Sequence, residues 1–385
     1  MLSNKGLLSA SRYPLNFVKT YTCFNRTFSI SDLINQDSLK YENQKLDVQS
    51  DLKDRLKRLL KTFNAPIQVA IGYGSGVFQQ AGYGSSAKPM VDFIFQVDDP
   101  VRWHELNIQQ NPSHYSLLKY LGPKAVAEVQ ENYGANIYYN TQVPVGNSII
   151  KYGVIKKESL MDDLKNWNTL YTAGRCQKPV TLFQGEDFFY PLNRQNLEQA
   201  TSAALFMLPN KFSEFEFYRT IVNLSYVGDI RMRLFAENPK KVDNIVSKQL
   251  FYFRKLYLPI LNSRFAVNFP SYNSKLHELN GHDSTFLLEI EHESNGKASD
   301  YFNTLPINYR NLILAAARTR GFSENDLWLR TSIQNRQMLS ITALKHLTQR
   351  SILTQSAKGI LTAGLYSSIS YSLEKLKKGL FRFSK

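Results

Sequence analysis

The stretch Ile67-Gln68-Val69-Ala70-Ile71-Gly72-Tyr73-Gly74-Ser75-Gly76, with Met90-Val91-Asp92-Phe93-Ile94-Phe95-Gln96-Val97 after it, decides how this chain is read. Ile67 to Ile71 is a short apolar run after Pro66 and reads as a buried strand. The glycine-rich turn that follows is expected to open a helix. Met90 to Val97 is a second strand, ended by Asp98-Asp99-Pro100. Glycines between a strand and a helix let the backbone approach a phosphate closely, and amides at the helix start donate to its oxygens. Ser75 adds a hydroxyl to that cradle. A carboxylate on the neighbouring strand, Asp92, can hold Mg²⁺ against the same triphosphate.

A Gly-Ser turn followed by a carboxylate-bearing strand is the arrangement of the nucleotidyltransferase fold. Taken alone it also fits a tight strand–helix connection in any α/β protein. There is no Gly-x-x-x-x-Gly-Lys-[Ser/Thr], and the glycine spacing is not that of a dinucleotide fingerprint. A near-copy, Gly82-Tyr83-Gly84-Ser85, has no strand before it and reads as loop.

Outward from this center, 385 residues fit two or three domains. Hydrophobic residues make up 43% and aromatic residues 13%, enough for real cores. Lys plus Arg is 47 against 32 for Asp plus Glu, so the net charge of +15 points to an anionic partner. Only Cys23 and Cys176 are present, which excludes a disulfide framework and a four-cysteine zinc site and suits a reducing compartment. No apolar run is long enough to span a bilayer.

Residues 1–31 carry Lys5, Arg12, Lys19 and Arg26, scattered serines and no acid before Asp32. That is the composition of a mitochondrial transit peptide, with Arg26-Thr27-Phe28-Ser29 resembling a matrix-protease site. Residues 30–50 read as irregular. Leu52, Leu56, Leu59, Leu60 and Phe63 recur at helical spacing, and Asn64-Ala65-Pro66 stops that helix. Helices are expected through Trp103 and His104 and from Leu117 to Glu131. Ser148 to Ile155 is a third strand. From 157 to 255 the pattern is helical, interrupted at Lys178-Pro179, Pro191 and Pro209. Residues 262–300 read as loops or hairpins, and helices return over 307–350. His277-Glu278-Leu279-Asn280-Gly281-His282 is not a zinc helix motif, because its histidines are five apart and do not share a helix face.

A series of short motifs runs through the chain in fixed order: Tyr73-Gly74-Ser75-Gly76-Val77-Phe78-x-Gln80, Asp92-Phe93-Ile94-Phe95, Trp103-His104-x-x-Asn107 and Asn111-x-x-His114-Tyr115-Ser116. Lys151-Tyr152-Gly153, Asp163-Leu164-x-x-Trp167, Leu170-Tyr171-x-Ala173-Gly174-Arg175 and Lys178-Pro179-Val180 follow. Tyr226-x-Gly228-Asp229-Ile230-Arg231-Met232 and Glu237-Asn238-Pro239 close it. Together, over roughly residues 55–350, they resemble the mitochondrial phosphatidate cytidylyltransferase family, also called the translocator assembly and maintenance family.

The resemblance implies a CDP-diacylglycerol synthase, joining CTP to phosphatidic acid with release of pyrophosphate. It would sit peripherally on the matrix side of the mitochondrial inner membrane and feed cardiolipin synthesis. The implied fold is α+β. A nucleotidyltransferase domain with a mixed sheet spans 50–235, with a helical insert over about 157–225. A mostly helical, winged-helix-like domain follows at 236–350, then an amphipathic membrane-associating tail at 357–385. Mg²⁺ is assigned to Asp92. Nucleotidyltransferases often carry a second carboxylate two residues on, on the same strand face. Here that position is Ile94, so Asp229 is the candidate for the second metal ligand, with Asp98 and Asp99 behind it. Gly74, Ser75 and Gly76 are expected to hold the triphosphate. Lys151, Arg175, Lys178 and Arg231 are expected to pair with phosphates of nucleotide or lipid. Tyr73, Trp103 and Tyr152 are candidates for the cytosine pocket. His104 and His114 are open between phosphate binding and a structural role. The phosphate nucleophile is already anionic, so no general base is required.

Leu361, Leu365, Ile369, Leu373, Leu376 and Leu380 step by three or four, and Lys375, Lys377, Lys378, Arg382 and Lys385 crowd the end. This is an interfacial helix attracted to anionic lipid, or a helix packed on the protein's own core. No nucleic-acid partner is expected. Two other readings stay open: a nucleotidyltransferase acting on RNA ends, which would want the paired carboxylate that Ile94 replaces, and a non-catalytic assembly factor of the inner-membrane import machinery.

Overall fold

Val69–Tyr73 (β1) and Val91–Val97 (β2) are adjacent antiparallel strands. In the computed structural model the described residues are 29–36, 40–78, 90–146, 148–228, 240–265, 267–270, 280–284, 286–294, 296–323 and 332–363. Ile137–Val145 (β3), Ser148–Lys156 (β4) and Val180–Gln184 (β5) complete a mixed sheet of order β3-β4-β2-β1-β5. β2 runs parallel to β4, and every other pair is antiparallel. The near-continuous apolar run of β2 follows from its central place, since a strand covered on both faces need not alternate.

One face of the sheet is closed by aromatic packing. Asp99 caps helix α3 (Pro100–Gln110) by accepting from the Arg102 amide at 3.0 Å. Trp103 of α3 then meets Phe95 of β2 and Tyr152 of β4 at ring-centroid distances of 6.5 and 6.2 Å. Phe63, just past α2 (Ser50–Leu60), joins the same group. Helix α4 (Gly122–Asn132) packs on α3 and β3.

Helices α5 (Lys157–Asn166), α6 (Ala173–Cys176), α7 (Glu186–Met207) and α8 (Glu214–Leu224) follow, with α5 against β2 and β4 and α7 against β1. Helix α9 (Lys241–Ile260) packs on α8. The two-stranded pair β6 (Lys211–Ser213) and β7 (Glu289–Glu291) lies beside them. Arg254 of α9 pairs with Glu214 at 2.6 Å, both fully buried, and also donates to the carbonyls of Gly281 and Phe286. A buried charge pair satisfied this completely fixes the loop before β7 in place. Helices α10 (Ala298–Asn303), α11 (Ile307–Arg318) and α12 (Ile333–Ala363) complete the described chain.

Several expectations change. Residues 30–50 are not irregular: α1 (Ile30–Ile34) buries Ile30, Leu33 and Ile34 against α9, with Leu46 and Val48 in the same core. The segment 157–225 is not only helical, since it supplies edge strand β5. Pro179 and Gly185 leave room for only a five-residue strand there. β3 carries no alternation and has no legible signal. Leu117–Leu121 is a 3₁₀ turn, and α4 starts only after it, because Gly122 takes φ +87°. Helix α12 runs unbroken across 350–357, so the expected tail begins inside a helix. There Gln355 donates to the Ile137 carbonyl at 3.2 Å and Lys358 to the Gln130 carbonyl at 3.0 Å. Among the described residues no helix is long and apolar enough to cross a membrane. The leader before Ser29, the Gly82–Ser85 near-copy, His277, Asp229, Arg231 and the tail beyond Ala363 lie outside the described residues.

Candidate active site

Strand register builds the site. Tyr73 stands opposite Asp92, and Asp92 stands beside Lys151, so three neighbouring strands contribute one cross-strand row. Val180 of β5 pairs with Tyr73 and extends that row. Four features therefore meet at one end of the sheet: the exit of β1 into Gly74–Gly76, the start of β2, the start of β4, and the entry to β5 with Arg175 and Lys178 just before it.

The turn lies directly on Asp92. Gly74 has φ +79°, and a Cβ there would sit 2.9 Å from Asp92 Oδ2. A Cβ on Gly76 would collide with the Met90 carbonyl. Any side chain at either position would push the turn off the carboxylate. The Val77 and Phe78 amides both donate to the Gly74 carbonyl, at 3.1 and 2.8 Å. Through Phe78 this is a single helical-type turn rather than the start of an established helix.

Lys151 Nζ is 3.3 Å from Asp92 Oδ1 and 4.4 Å from the Tyr139 ring centroid. Burial disfavours its ammonium, but Asp92 with Tyr139 and Tyr171 more than compensates and raises its pKa. Arg175 stacks on Tyr171 at 3.7 Å, lies 5.8 Å from the Tyr73 ring and donates to the Tyr171 carbonyl at 2.5 Å. Tyr73 and Tyr139 share a hydroxyl contact at 3.3 Å, and burial and then Asp92 push the Tyr73 phenol up. Lys178 donates to the Gly174 carbonyl and to Ser225 Oγ. Burial, then the Arg175 charge, lower its pKa to about 7. One carboxylate thus stands among cations carried on aromatic faces, a setting that attracts a polyanion.

Asp163 holds the loop that delivers Arg175. Its Oδ1 accepts from the Thr169 amide at 2.7 Å, the Thr169 hydroxyl at 2.9 Å and the Leu170 amide at 2.9 Å. Its Oδ2 accepts from the Thr172 and Ala173 amides at 2.8 and 2.9 Å. Asn196 ties the same loop down, accepting from Trp167 Nε1 at 2.9 Å and donating to the Ala173 carbonyl at 3.1 Å. Asp163 belongs to one of the ordered motifs, yet sequence reasoning gives it no role. One signal is available: a carboxylate in the last turn of a helix opposes the macrodipole and needs another reason to be there. Sequence reasoning also misses Tyr139 and Tyr171, since an aromatic on a strand or loop gives no sign of which charge it supports.

Other expected residues fall elsewhere. Trp103 and Tyr152 are buried in the aromatic core on the far face, turned away from the Asp92 row. His104 is fully buried, bonded to the Tyr115 hydroxyl at 2.9 Å and to Gln130 Oε1 at 3.0 Å. Burial lowers its pKa to about 4, so it is a neutral structural histidine. His114 bonds to the Tyr152 hydroxyl at 2.8 Å, and burial likewise lowers it to about 4. Asp99 caps α3, and Asp98 accepts from Gln96 at 3.0 Å. Both lie at the opposite end of β2, roughly 20 Å from Asp92 at the usual rise per residue, too far to share its metal.

Among the described residues no cluster of three or more His, Cys, Asp or Glu gathers. Mg²⁺ does not need one. It is commonly held by one or two carboxylates, with water and substrate phosphates filling the remaining positions. Asp92, backed by a turn suited to phosphate, fits such a donor set.

The model of the family described as mitochondrial phosphatidate cytidylyltransferase matches residues 56–378. The chain is 48% identical over 354 residues to the mitochondrial phosphatidate cytidylyltransferase of Schizosaccharomyces pombe, a match covering 91% of this chain and 90% of the relative. The Xenopus laevis protein of the same name is 40% identical over 334 residues, covering 85% of this chain and 94% of the relative. That of Danio rerio is 39% identical over 331 residues, covering 84% and 93%.

Proposed function

Because the chain belongs to the mitochondrial phosphatidate cytidylyltransferase family and is an enzyme, we propose that it transfers CMP from CTP to phosphatidic acid at the Asp92–Lys151 row. The products are CDP-diacylglycerol and pyrophosphate. The observation that carries the assignment is the ion pair of Asp92 and Lys151 directly against the Gly74–Gly76 turn. The sheet is read as the core of a nucleotidyltransferase domain and the helices after α8 as its winged-helix-like companion. The site works on the matrix face of the inner membrane, and its product feeds cardiolipin synthesis.

A phosphate oxygen of phosphatidic acid attacks the α-phosphorus of CTP. The bond from that phosphorus to the bridging oxygen breaks, and pyrophosphate leaves with the electron pair. The nucleophile is already charged, so no side chain has to remove a proton. The neutrality and burial of His104 and His114 accord with this. The chain's task is alignment and charge neutralisation. Gly74, Ser75 and Gly76 cradle the triphosphate with backbone amides and the Ser75 hydroxyl. Arg175 and Lys151 oppose the charge that builds on the transferring and leaving oxygens, and Tyr171 and Tyr139 keep both cations in place. Asp92 would hold Mg²⁺, with Asp229 as its partner carboxylate. When bound, the ion neutralises phosphate charge. Lys178 and Arg231 extend the cationic surface.

The test supplies the protein with labelled CTP, Mg²⁺ and phosphatidic acid liposomes, beside Asp92→Ala. Label is expected in the lipid phase only with Mg²⁺ and intact Asp92. Absence of transfer from any nucleotide by folded, liposome-bound protein overturns the assignment.

A further inference from the structure

The turn before α4 and the first residues of that helix read Leu117-Leu118-Lys119-Tyr120-Leu121-Gly122-Pro123-Lys124. Leu118 faces inward and packs on the satellite core of Tyr115, Val126 and Tyr138. Leu117, Tyr120 and Leu121 face outward, 80%, 77% and 70% exposed. Single exposed leucines are ordinary, but three large apolar side chains on one anchored turn form a patch that calls for a partner. Lys119 sits beside this patch, 5.3 Å from the Tyr120 ring, and donates to the Pro112 carbonyl at 2.8 Å, while Lys124 is exposed. No Asp or Glu lies between Glu105 and Glu128. An anionic surface would therefore meet attraction and no repulsion from this segment. Helix α12 passes against the same turn and clasps the far end of α4, with Lys358 donating to the Gln130 and Tyr133 carbonyls. The sequence after Ala363 carries the leucine-spaced, lysine-rich segment, with Glu374 as its one acid.

We propose that Leu117–Lys124 is a lipid-docking loop for an anionic bilayer. Leu117, Tyr120 and Leu121 enter the headgroup boundary, and Lys119 and Lys124 stay at phosphate level. Apolar burial combined with basic attraction is how an interfacial segment binds such a surface, and a tyrosine suits that depth. The choice of bilayer as partner rests on the lipid-substrate reading above. The loop gives the protein a second point of contact beside its C-terminal segment and would fix its orientation on the membrane.

The test uses the full chain and vesicles of two parts phosphatidylcholine to one part phosphatidylglycerol, an anionic lipid that is not the substrate. In the Tyr120→Trp variant, brominated acyl chains are expected to quench emission beyond the background of the native tryptophans. The triple variant Leu117→Asn, Tyr120→Asn, Leu121→Asn is expected to bind these vesicles about tenfold more weakly. Its melting temperature and its transfer onto short-chain, detergent-dispersed phosphatidate should be unchanged. Absence of that added quenching in the tryptophan variant, or unaltered vesicle binding by the triple variant, overturns the proposal. So does loss of self-association at unaltered vesicle binding, which would make the patch an interface between two copies. Quenching retained in a protein that transfers no nucleotide would overturn the assigned reaction and leave the docking loop supported.

Discussion

Lys151 and Tyr152 are consecutive residues of one motif, and β4 sends them to opposite faces of the sheet. Lys151 reaches Asp92 beside the glycine turn. Tyr152 enters a closed polar and aromatic network with Asn107, His114, Phe95 and Trp103. Both faces are rich in residue types that do chemistry. They differ in what those groups pair with. On the far face, fully buried His104 bonds to Tyr115 and half-buried His114 to Tyr152. On the near face, the cations are balanced by a single described carboxylate. Membership of a motif therefore marks constraint, and strand alternation decides whether a constrained side chain joins the Asp92 row or the packed core.

The sharpest way to break this contrast is Asp92→Asn. It keeps the shape and removes the charge that balances Lys151 and, on the proposed reading, would hold the metal. Transfer is expected to fall by about a thousandfold or more, with the melting temperature little changed. Residual activity near wild type would move the catalytic center away from this row. Arg175→Met comes next, with an expected loss of about a hundredfold in kcat/KM measured against CTP concentration. Arg175→Lys should recover little, because a point charge cannot reproduce the planar stacking on Tyr171.

Asp163→Asn probes the support beneath the near face. An asparagine oxygen can keep the Oδ1 bonds, but its NH₂ cannot accept from the Thr172 and Ala173 amides. A stability loss of about 2–4 kcal/mol by urea titration is expected, with roughly a tenfold fall in kcat as Arg175 loosens. Asp163→Glu should rescue neither, since the longer arm cannot satisfy the same amides. A stability loss with unchanged kcat would show that the loop fixes the fold without positioning Arg175.

The legible parts of the molecule follow the same physics. β1, β2 and β4 are readable because their apolar runs are bounded by Pro, Gly and Asp, and the meeting of Gly74–Gly76 with Asp92 follows from their order. β5 is hidden because five residues between two helices cannot outweigh the helical pattern around them. β3 is hidden because its inward tyrosines and its bulge near Gln142 blur the alternation. Trp103 and Tyr152 are misplaced for a related reason: sequence gives residue type and spacing, while the face depends on strand register. Asp163 escapes notice because its partners are backbone amides, which leave no mark in sequence.

His104→Gln tests the far face, and it should leave transfer within about twofold. The signature lies in stability. In the folded chain His104 is held near a pKa of about 4, against an ordinary 6.5 when unfolded. Between those values the unfolded chain binds the extra proton. The wild-type protein should therefore lose stability as pH falls from about 6.5 toward 4, by up to about 3 kcal/mol from this residue. His114 adds a smaller term of the same sign. Urea midpoints at neutral and mildly acidic pH should show a shallower acid limb in the variant, even though its neutral-pH stability is lower for want of the Tyr115 or Gln130 bond.

Lys178 lies between the two regions and gives the smallest expected effect. Like the far-face groups it is hydrogen-bonded, to Gly174 and Ser225, and it is half-buried, yet it adjoins Arg175 as the near-face groups do. With Arg175 and Lys241 facing it, its pKa lies at about 7, so it is charged below that pH and neutral above it. If Lys178 helps to hold the nucleotide, kcat/KM for CTP should fall about threefold as pH rises through 7, because that ratio reports the free enzyme. The kcat profile should bend less, since bound phosphate favors the charged amine. Lys178→Arg keeps the charge at every pH and should remove the inflection. A wild-type kcat/KM that stays flat across this range would place Lys178 with the structural far-face groups and end the proposed cationic surface at Arg175.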